Sequence, residues 1–366
     1  MNLPRFTATA VGSFPHIDPD AALDIIFRTL PAAPLWPQLP RAALTEQMEI
    51  QYAEGIPGAV LDEARQRLTF DTAGDPSEAL AAFYEVYLAA AEAGPGEADL
   101  APLAIGPSFA RGLHRFAARL TADGVRRPLV KVQTTGPLSF ALTVVDQDKR
   151  AIFYDETFRD VIVKALALKC RWQIRTFAPW AERVLCFIDE PILAAFGSST
   201  YISVTRGDVT ALIGEVVDAI HAEGGLAGVH CCGNTDWSLL VEAGADVINF
   251  DAFGYGESIA LYPEALQTFL ERGGLLAWGI VPTSERVREQ TAASLADRFD
   301  KLVRTIAGLA GLDRARLAET ALLTPSCGTG SLSLDDAGRV FDLLAELPAV
   351  LTDRYGAGDI RIRERA

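Results

Sequence analysis

The chain has 366 residues, of which 49% are hydrophobic, and a formal net charge of −15. This length and composition can support a large core, built either as one large barrel or as two ordinary domains. The acidic residues are spread along the chain, which indicates a solvated surface and argues against nonspecific binding to nucleic-acid backbones.

Short apolar segments alternate with amphipathic stretches along the sequence. The segments predicted as β-strands are 7–13, 58–62, 129–135, 184–189, 226–231, 246–250, 275–280 and 321–325. Apolar residues recur every three or four positions in three helical stretches, 158–178, 209–224 and 294–311. The proline-rich segment 30–40 cannot form one regular element, because proline disrupts helix interiors and central strands.

Eight strands with helices between them predict an α/β fold, a (β/α)8 TIM barrel forming a single domain over residues 1–366. The segment 58–62 is the weakest of the eight strands, and a doubly wound sheet is the alternative. Active-site residues of such barrels lie at the carboxyl ends of the strands. The unusual residues at those ends are Gly12, Ser13, Asp189, Glu190, His230, Cys231, Cys232, Asp251 and Cys327.

The cysteine pattern favours a reducing compartment. Five cysteines in a chain of this length are a poor disulfide framework, so we expect a cytoplasmic protein with thiols free to bind metal. No apolar run approaches the roughly 18 residues that a membrane helix needs. The first residues also lack the long apolar region of a signal peptide, so we expect no membrane partner.

The sequence His230-x-Cys232 is a plausible metal-binding pair. Two residues apart on an extended strand end, both side chains can face one ion, and zinc favours imidazole and thiolate ligands. Cys327 is the candidate for a third ligand. Asp251 can add a carboxylate, cap a helix, or accept a hydrogen bond from the histidine. Cys231 is expected to face the opposite way, as a small buried hydrophobic residue.

The charge of this ligand set indicates what the centre can do. Two thiolates and a neutral imidazole around Zn²⁺ give a neutral centre, and an added carboxylate gives a charge of −1. Such a centre is a modest Lewis acid. It suits the binding of an incoming thiol as its thiolate, because metal coordination deprotonates thiols.

Six motifs occur in the order found in one enzyme family. They are "AVGSFPH" (10–16), "TTGPLSF" (134–140), "FIDEP" (187–191), the His230-x-Cys232 pair, "ADVINFD" (245–251) and "SCG" (326–328). Together they resemble the C-terminal catalytic barrel of cobalamin-independent methionine synthases, over nearly the whole chain. That barrel is grouped with the uroporphyrinogen decarboxylase-like and corrinoid-dependent methyltransferases.

The resemblance implies a zinc site that activates homocysteine as a zinc thiolate for methylation to methionine. His230, Cys232 and Cys327 would bind Zn²⁺, together with Asp251, which stands where the family has the longer glutamate. The substrate-binding residues implied are Val11, Gly12, Ser13, Glu46 and Asp189. Asp189, the implied catalytic carboxylate, would bind the substrate ammonium group. Glu46 is the best match for a second carboxylate on that group, and Glu49 is the next.

Departures from the family concern the methyl donor. The family has an additional N-terminal half, to which the resemblance does not extend. Ala195 stands at the position of a folate-contacting glutamate, and the segment 277–285 has no counterpart of the family's catalytic histidine. Methyltetrahydrofolate needs protonation at N5, whereas a methyl–cobalt bond needs no proton on its leaving group. The expected donor is therefore methylcobalamin, free or held on a corrinoid protein.

Three other functions are compatible with parts of the pattern. The first is a corrinoid-dependent methyltransferase that acts on another thiol, such as coenzyme M. The second is a zinc-free decarboxylase-like barrel, which would require basic residues where this sequence has acidic and sulfur-containing ones. The third is a noncatalytic zinc- or thiol-binding partner of a corrinoid protein.

Overall fold

The computed structural model describes residues 2–362 of the chain. The β-strands are β1 (Asn2–Pro4), β2 (Ala59–Asp62), β3 (Arg67–Phe70), β4 (Arg127–Thr135), β5 (Val145–Asp146), β6 (Ala181–Asp189), β7 (Leu226–Cys231), β8 (Val247–Phe250), β9 (Leu275–Val281), β10 (Ala321–Pro325) and β11 (Asp359–Arg361). The α-helices are α1 (Pro19–Thr29), α2 (Met48–Tyr52), α3 (Ser77–Glu92), α4 (Arg111–Asp123), α5 (Pro137–Thr143), α6 (Glu156–Phe177), α7 (Arg206–Ala222), α8 (Ser238–Glu242), α9 (Ala252–Tyr255), α10 (Pro263–Glu271), α11 (Ala292–Ala310), α12 (Arg314–Glu319) and α13 (Leu334–Tyr355).

A parallel sheet of six strands, with helices between successive strands, forms the centre of the fold. Its order is β10-β9-β8-β7-β6-β4, so the strands from β6 to β10 lie side by side in chain order. Every residue of β7, β9 and β10 is buried. Apolar runs of this kind are typical of parallel strands that are covered on both faces, and these six strands were predicted from such runs.

Two extended segments follow the edges of this sheet. Ala8, in the first segment, forms a parallel bridge with Leu323 of β10. Leu35, in the second, forms a parallel bridge with Lys131 of β4. The two segments meet each other at a single bridge between Ser13 and Gln38. The six-stranded sheet is thus observed, whereas a closed eight-stranded barrel stays a prediction.

Two of the predicted strands were wrong in form or position. Segment 7–13 is not a continuous strand, since its strand-type pairing is limited to isolated bridges. Segment 58–62 contains β2, but β2 belongs to a separate small sheet with β3 and β5. The place beside β4 is taken by residues 32–38, from the proline-rich stretch. Pro34 and Pro37 have no N–H group, which interrupts the hydrogen-bond ladder there.

Alternate side chains of the sheet enter two separate cores. Cys186 and Ile188 of β6 join the large core between the sheet and the helices. Leu185 and Phe187 of the same strand join a smaller core on the opposite face. The pair β1–β11 adds Leu3 to this smaller core. The face that carries the smaller core also carries the polar side chains described below.

The helices begin and end at recognisable capping residues. A capping box at Thr205 and Asp208 starts α7, and a second one, at Thr291 and Ser294, starts α11. Helix α11 ends at Gly311, whose φ of 64° is left-handed. None of the described helices combines the length and apolar composition needed to cross a membrane.

Candidate metal centre

The polar residues of the central sheet form one row near its carboxyl edge. Asp189 of β6 is in register with His230 of β7, which is in register with Asn249 of β8. Residues in register on parallel strands face the same side of a sheet. The row therefore brings a carboxylate, an imidazole and an amide together on the face opposite the helices.

His230, Cys232 and Cys327 converge at the end of this row. The ligand atoms of these three side chains all lie within 4.8 Å of one another. His230 is at the end of β7, Cys232 follows in the next loop, and Cys327 lies in the loop after β10. The structure thus brings together the three predicted ligands, although Cys327 lies almost a hundred residues after the other two. Their binding of zinc itself stays a prediction.

Asn249 determines which nitrogen of His230 is free for a cation. The amide nitrogen of Asn249 donates to the Ala277 carbonyl at 2.8 Å and to the Thr324 hydroxyl at 2.7 Å. Because a carbonyl can only accept, the Asn249 amide oxygen must point towards Nδ1 of His230, at 2.6 Å. Nδ1 therefore carries the proton, and Nε2, which is buried and has no partner, presents a lone pair to the two sulfurs.

The two thiols interact strongly. A hydrogen bond from the Cys327 thiol, together with the neighbouring His230 ring, lowers the pKa of Cys232. The same bond to Cys232, together with burial, raises the pKa of the Cys327 thiol. One proton is thus shared between the two sulfurs, in a position where a cation bound by both could replace it. An imidazole lone pair beside two such sulfurs fits the ligand preference of Zn²⁺.

Cys231 lies on the other side of the strand, as predicted. Its side chain is fully buried in the core between the sheet and the helices, and its sulfur lies 3.7 Å from the Gly233 carbonyl oxygen. Burial raises its pKa to about 12, so this thiol stays protonated.

Asp251 caps a helix in this structure. Its carboxylate accepts a hydrogen bond from the Gly254 N–H at 2.7 Å, at the start of α9. It is absent from the group of converging ligand atoms formed by His230, Cys232 and Cys327. Coordination of a metal by Asp251 therefore stays a prediction, and Asn249 takes the role of hydrogen-bond acceptor for the histidine.

Asp189 and Lys131 are two buried ionisable groups that interact electrostatically beside these residues. Burial raises the pKa of Asp189 to about 6, against the opposing effect of Lys131, and one of its carboxylate oxygens is buried without a partner. Lys131 is fully buried and donates to the Val11 carbonyl oxygen and, at 3.0 Å, to the side-chain oxygen of Gln133. Burial lowers the pKa of Lys131 to about 8.

The predicted substrate loop at Val11, Gly12 and Ser13 lies beside Cys327. The Thr329 N–H donates to the Ser13 carbonyl at 2.9 Å, and the Gly330 N–H donates to the Ser13 hydroxyl at 3.2 Å. A Cβ atom on Gly328 would lie 2.1 Å from the Ser13 hydroxyl, so this close contact requires glycine. Lys131 and Cys327 thus border the loop on two sides.

The two glutamates proposed for the substrate amine have different surroundings. Glu46 is fully buried, and one of its oxygens accepts a hydrogen bond from Arg111 at 2.7 Å while the other has no partner. Burial raises the pKa of Glu46 against the effect of Arg111. Burial also raises the pKa of Glu49, where no basic residue opposes the shift. Nearby Tyr52 donates to the Gln133 carbonyl at 2.7 Å, which holds α2 against β4.

The loop after β9 presents no imidazole. Its Thr283 instead bonds to Ser326, at 2.9 Å between the hydroxyls, and so joins this loop to the loop of Cys327. Two other histidines have structural contacts: His114 with the Ile105 carbonyl at 2.7 Å and His221 with Asp246 at 2.8 Å. His16 follows the substrate loop, and burial lowers its pKa.

Sequence reasoning missed two residues of the site, Lys131 and Asn249. Each left a signal, because each is a polar residue in the middle of an otherwise apolar strand, "LVKVQTT" and "DVINF". A charged or amide side chain at such a position must find partners inside the protein. In this fold those partners include the Val11 carbonyl, in the predicted substrate loop, and His230.

Comparisons with known proteins give a distant structural similarity. No protein-family model matches the chain, and no curated protein sequence matches it. One solved structure that is similar is that of a B12-independent methionine synthase from Shewanella sp. W3-18-1 in complex with selenomethionine. The similarity has a TM-score of 0.45 and 17% sequence identity, and it covers 65% of this chain and 67% of that chain. Any assignment of the site therefore rests on its own residues.

Proposed function

We propose that the protein is a zinc-dependent methyltransferase that converts homocysteine to methionine. One observation carries this proposal: an imidazole nitrogen without a partner and two cysteine sulfurs converge within 4.8 Å. A carboxylate oxygen of Asp189, also without a partner, belongs to the same row of strand ends. A metal-binding group next to a buried carboxylate suits a substrate that has both a thiol and an ammonium group.

His230, Cys232 and Cys327 would hold the Zn²⁺, through Nε2 and the two sulfurs. Asp251 would need to leave its capping position to act as a fourth ligand. Bound Zn²⁺ supplies the Lewis acidity that keeps an incoming thiol in its thiolate form at neutral pH. The protein would contribute a fixed imidazole tautomer through Asn249 and two thiolates, whose charges neutralise that of Zn²⁺.

The remaining residues would bind the amino-acid end of homocysteine. Asp189 would accept hydrogen bonds from the substrate ammonium, with Glu46 or Glu49 as the second carboxylate. Lys131 favours the ionised form of Asp189 and fixes the Val11 carbonyl by a hydrogen bond. Backbone groups of residues 11–13 and the Ser13 hydroxyl would hold the other polar groups of the substrate.

We propose methylcobalamin, free or on a corrinoid protein, as the methyl donor. The substrate sulfur attacks the methyl carbon as the carbon–cobalt bond breaks, and the electron pair of that bond stays on cobalt. The protein therefore needs no proton donor on the donor side. This suits a β9 loop that has no counterpart of the family's catalytic histidine. Thr283 of that loop is hydrogen-bonded to Ser326.

We further propose that segments 7–14 and 32–38 act as the first two strands of a closed (β/α)8 barrel, in one domain. Their bridges to β10, to each other and to β4 support this closure. The five cysteines are all free thiols, which supports a reducing compartment such as the cytoplasm.

The test is methyl transfer to homocysteine by purified protein of measured zinc content, with methylcobalamin or methyltetrahydrofolate as donor. We expect about one zinc per chain and methionine formation with methylcobalamin. Coenzyme M is added in parallel as a competing acceptor. Transfer only from methyltetrahydrofolate would overturn the donor assignment, and transfer to coenzyme M alone would overturn the acceptor.

Adjacent cysteines provide a matched control. Cys232→Ser should lose both zinc and activity, whereas Cys231→Ala, which changes the neighbouring thiol on the other side of the strand, should keep both. Equal loss in the two variants would mean that the thiols act through folding and not as ligands. Thiol binding without turnover, with either donor, would indicate a noncatalytic partner.

A further inference from the structure

Two arginines lie over one aromatic ring near the proposed metal centre. Arg298 belongs to α11, and Arg286 lies in the short 3₁₀ turn Glu285–Glu289. Both guanidinium groups lie over the ring of Phe253, at 4.2 and 4.9 Å from its centre. Within residues 2–362, neither forms an ion pair, although acidic residues outnumber basic ones by 48 to 33.

The hydrogen bonds of Arg298 are incomplete. It donates to the Phe253 carbonyl oxygen, but its Nε–H is buried and has no acceptor. Burial lowers the pKa of Arg298, and the positive charge of Arg286 lowers it further. An anion bound at Arg298 would supply the missing acceptor and offset the repulsion from Arg286.

A cavity of about 260 Å³ opens beside Arg298, with Asn234 and Ser258 in its lining. The Ser258 hydroxyl accepts a hydrogen bond from Trp237 at 3.0 Å, which leaves its own proton free to donate. Asn234 lies two residues after the ligand Cys232. Gly254, which also lines the cavity, donates its N–H to Asp251 at 2.7 Å. The cavity is thus connected to the loops of Cys232 and Asp251.

We propose that Arg298, with Asn234 and Ser258, forms an oxyanion-binding subsite for a carboxylate or phosphate group of the methyl donor, and that Arg286 adds positive charge from outside the cavity. That this group belongs to the methyl donor rests on the proposed function. A cavity of this volume accommodates one such group and excludes a whole macrocycle. The anionic group would bind here while the reacting carbon lies at the neighbouring metal centre. The lining also includes the exposed Glu257, whose negative charge opposes anion binding and which Arg298 and Arg286 must outweigh.

Binding of small anions tests the subsite without any turnover. Zinc-loaded protein is titrated calorimetrically with inorganic phosphate and, separately, with glutarate, at constant ionic strength. We expect saturable binding, near one per chain, of at least one of them. Tighter binding of phosphate would indicate a phosphate-bearing donor, and tighter binding of glutarate a carboxylate-bearing one.

Substitutions at three arginines locate the binding. Arg298→Gln should weaken binding about tenfold through loss of a charge-assisted hydrogen bond. Arg286→Gln, at an exposed side chain, should weaken it about threefold. Arg304→Gln, which removes the same charge from an exposed position of the same helix, should leave the affinity unchanged.

Two results would overturn the subsite: no saturable binding of either anion, or equal affinity in wild type and Arg298→Gln. If Arg298→Gln does not fold, unchanged affinity in Arg286→Gln overturns it. The subsite and the proposed function fail separately. Anion binding without methyl transfer would overturn only the function. Methyl transfer with an unchanged donor KM in both arginine variants would overturn only the subsite.

Discussion

At the scale of single residues, the chemistry of the site depends on the orientation of one amide. Asn249 can accept from Nδ1 of His230 only because its NH₂ group is held by the Ala277 carbonyl and the Thr324 hydroxyl. A histidine with the other tautomer would present N–H, and not a lone pair, to a cation. Asn249 thus positions His230, the proposed metal ligand.

Replacement of this amide should weaken metal binding without touching a ligand. We expect Asn249→Leu to lower zinc affinity by about 10- to 100-fold, because Nδ1 loses its acceptor and the imidazole is no longer held. Competition with a chromogenic chelator measures the affinity. Asn249→Asp keeps an acceptor for Nδ1 and should bind zinc more tightly than Asn249→Leu. Equal zinc affinity in wild type and both variants would contradict the role of Asn249.

At the scale of elements, the buried parallel strands could be predicted because each is a continuous apolar run. The polar residues that follow those runs could be predicted as site residues, because they lie at the carboxyl ends of the strands. The two edge segments could not be predicted in this way. They pair only through isolated bridges, and their sequences, one of them rich in proline, lack a regular apolar pattern. Arg286, Arg298 and Phe253 meet only through tertiary packing, and no local pattern in the sequence relates them.

The contact between the end of β6 and the start of α5 restricts which amino acid can stand at position 136. Glu190, directly after β6, accepts hydrogen bonds from the Leu138 and Ser139 N–H groups and from the Ser139 hydroxyl, at 2.6–2.9 Å. It thereby caps the first turn of α5. A Cβ atom on Gly136 would lie 2.0 Å from the carboxyl carbon of Glu190, so the cap requires glycine there.

A pair of glycine-to-alanine substitutions should therefore have opposite effects on stability. Gly136→Ala should lower the free energy of unfolding by about 1–3 kcal/mol, because the new methyl group displaces Glu190. Gly308→Ala, at an exposed position of α11 with no neighbouring atom within 4 Å, should raise it by about 0.5–1 kcal/mol through helix propensity. Thermal midpoints of the two variants measure both effects, and a neutral Gly136→Ala would show that the cap can shift without cost.

At the scale of the whole molecule, closure of the barrel depends on a short seam. The Phe14 N–H donates to the Gln38 carbonyl at 2.9 Å, and the Gln38 N–H donates to the Gly12 carbonyl at 3.0 Å. In contrast, β6 and β7 pair over five consecutive positions. A seam of so few hydrogen bonds should open more readily than a continuous ladder.

Amide hydrogen exchange can distinguish a closed barrel from an open sheet. We expect the amides of Phe14 and Gln38 to be protected, but to exchange faster than that of Val229 within β7. Protection of both supports closure, because an open edge would leave these groups in water. Exchange at the rate of an unstructured peptide would contradict the closed eight-stranded ring and leave the six-stranded sheet intact.

The stability of the whole molecule should also depend on a buried lysine away from the site. Lys169 of α6 is fully buried, and its ammonium donates to the carbonyls of Glu54, at 2.7 Å, and Leu103, at 3.3 Å. Burial lowers its pKa from 10.5 to about 8, against the effect of the Glu54 carboxylate. Between these two pH values the unfolded chain binds a proton that the folded protein does not.

Stability should therefore rise with pH across this window, by at most about 1.4 kcal/mol per pH unit for this group. Buried tyrosines and cysteines with raised pKa values act in the opposite direction, so the effect is sought as a difference between variants. The Tm of wild type minus that of Lys169→Met should be constant below pH 8. It should increase as the pH approaches 10.5. Lys301→Met, at an exposed position of α11, should give a profile parallel to wild type. A Tm difference between wild type and Lys169→Met that does not change with pH would contradict this prediction. Lys169 would then keep its proton in the folded protein, stabilised by the two carbonyls and Glu54.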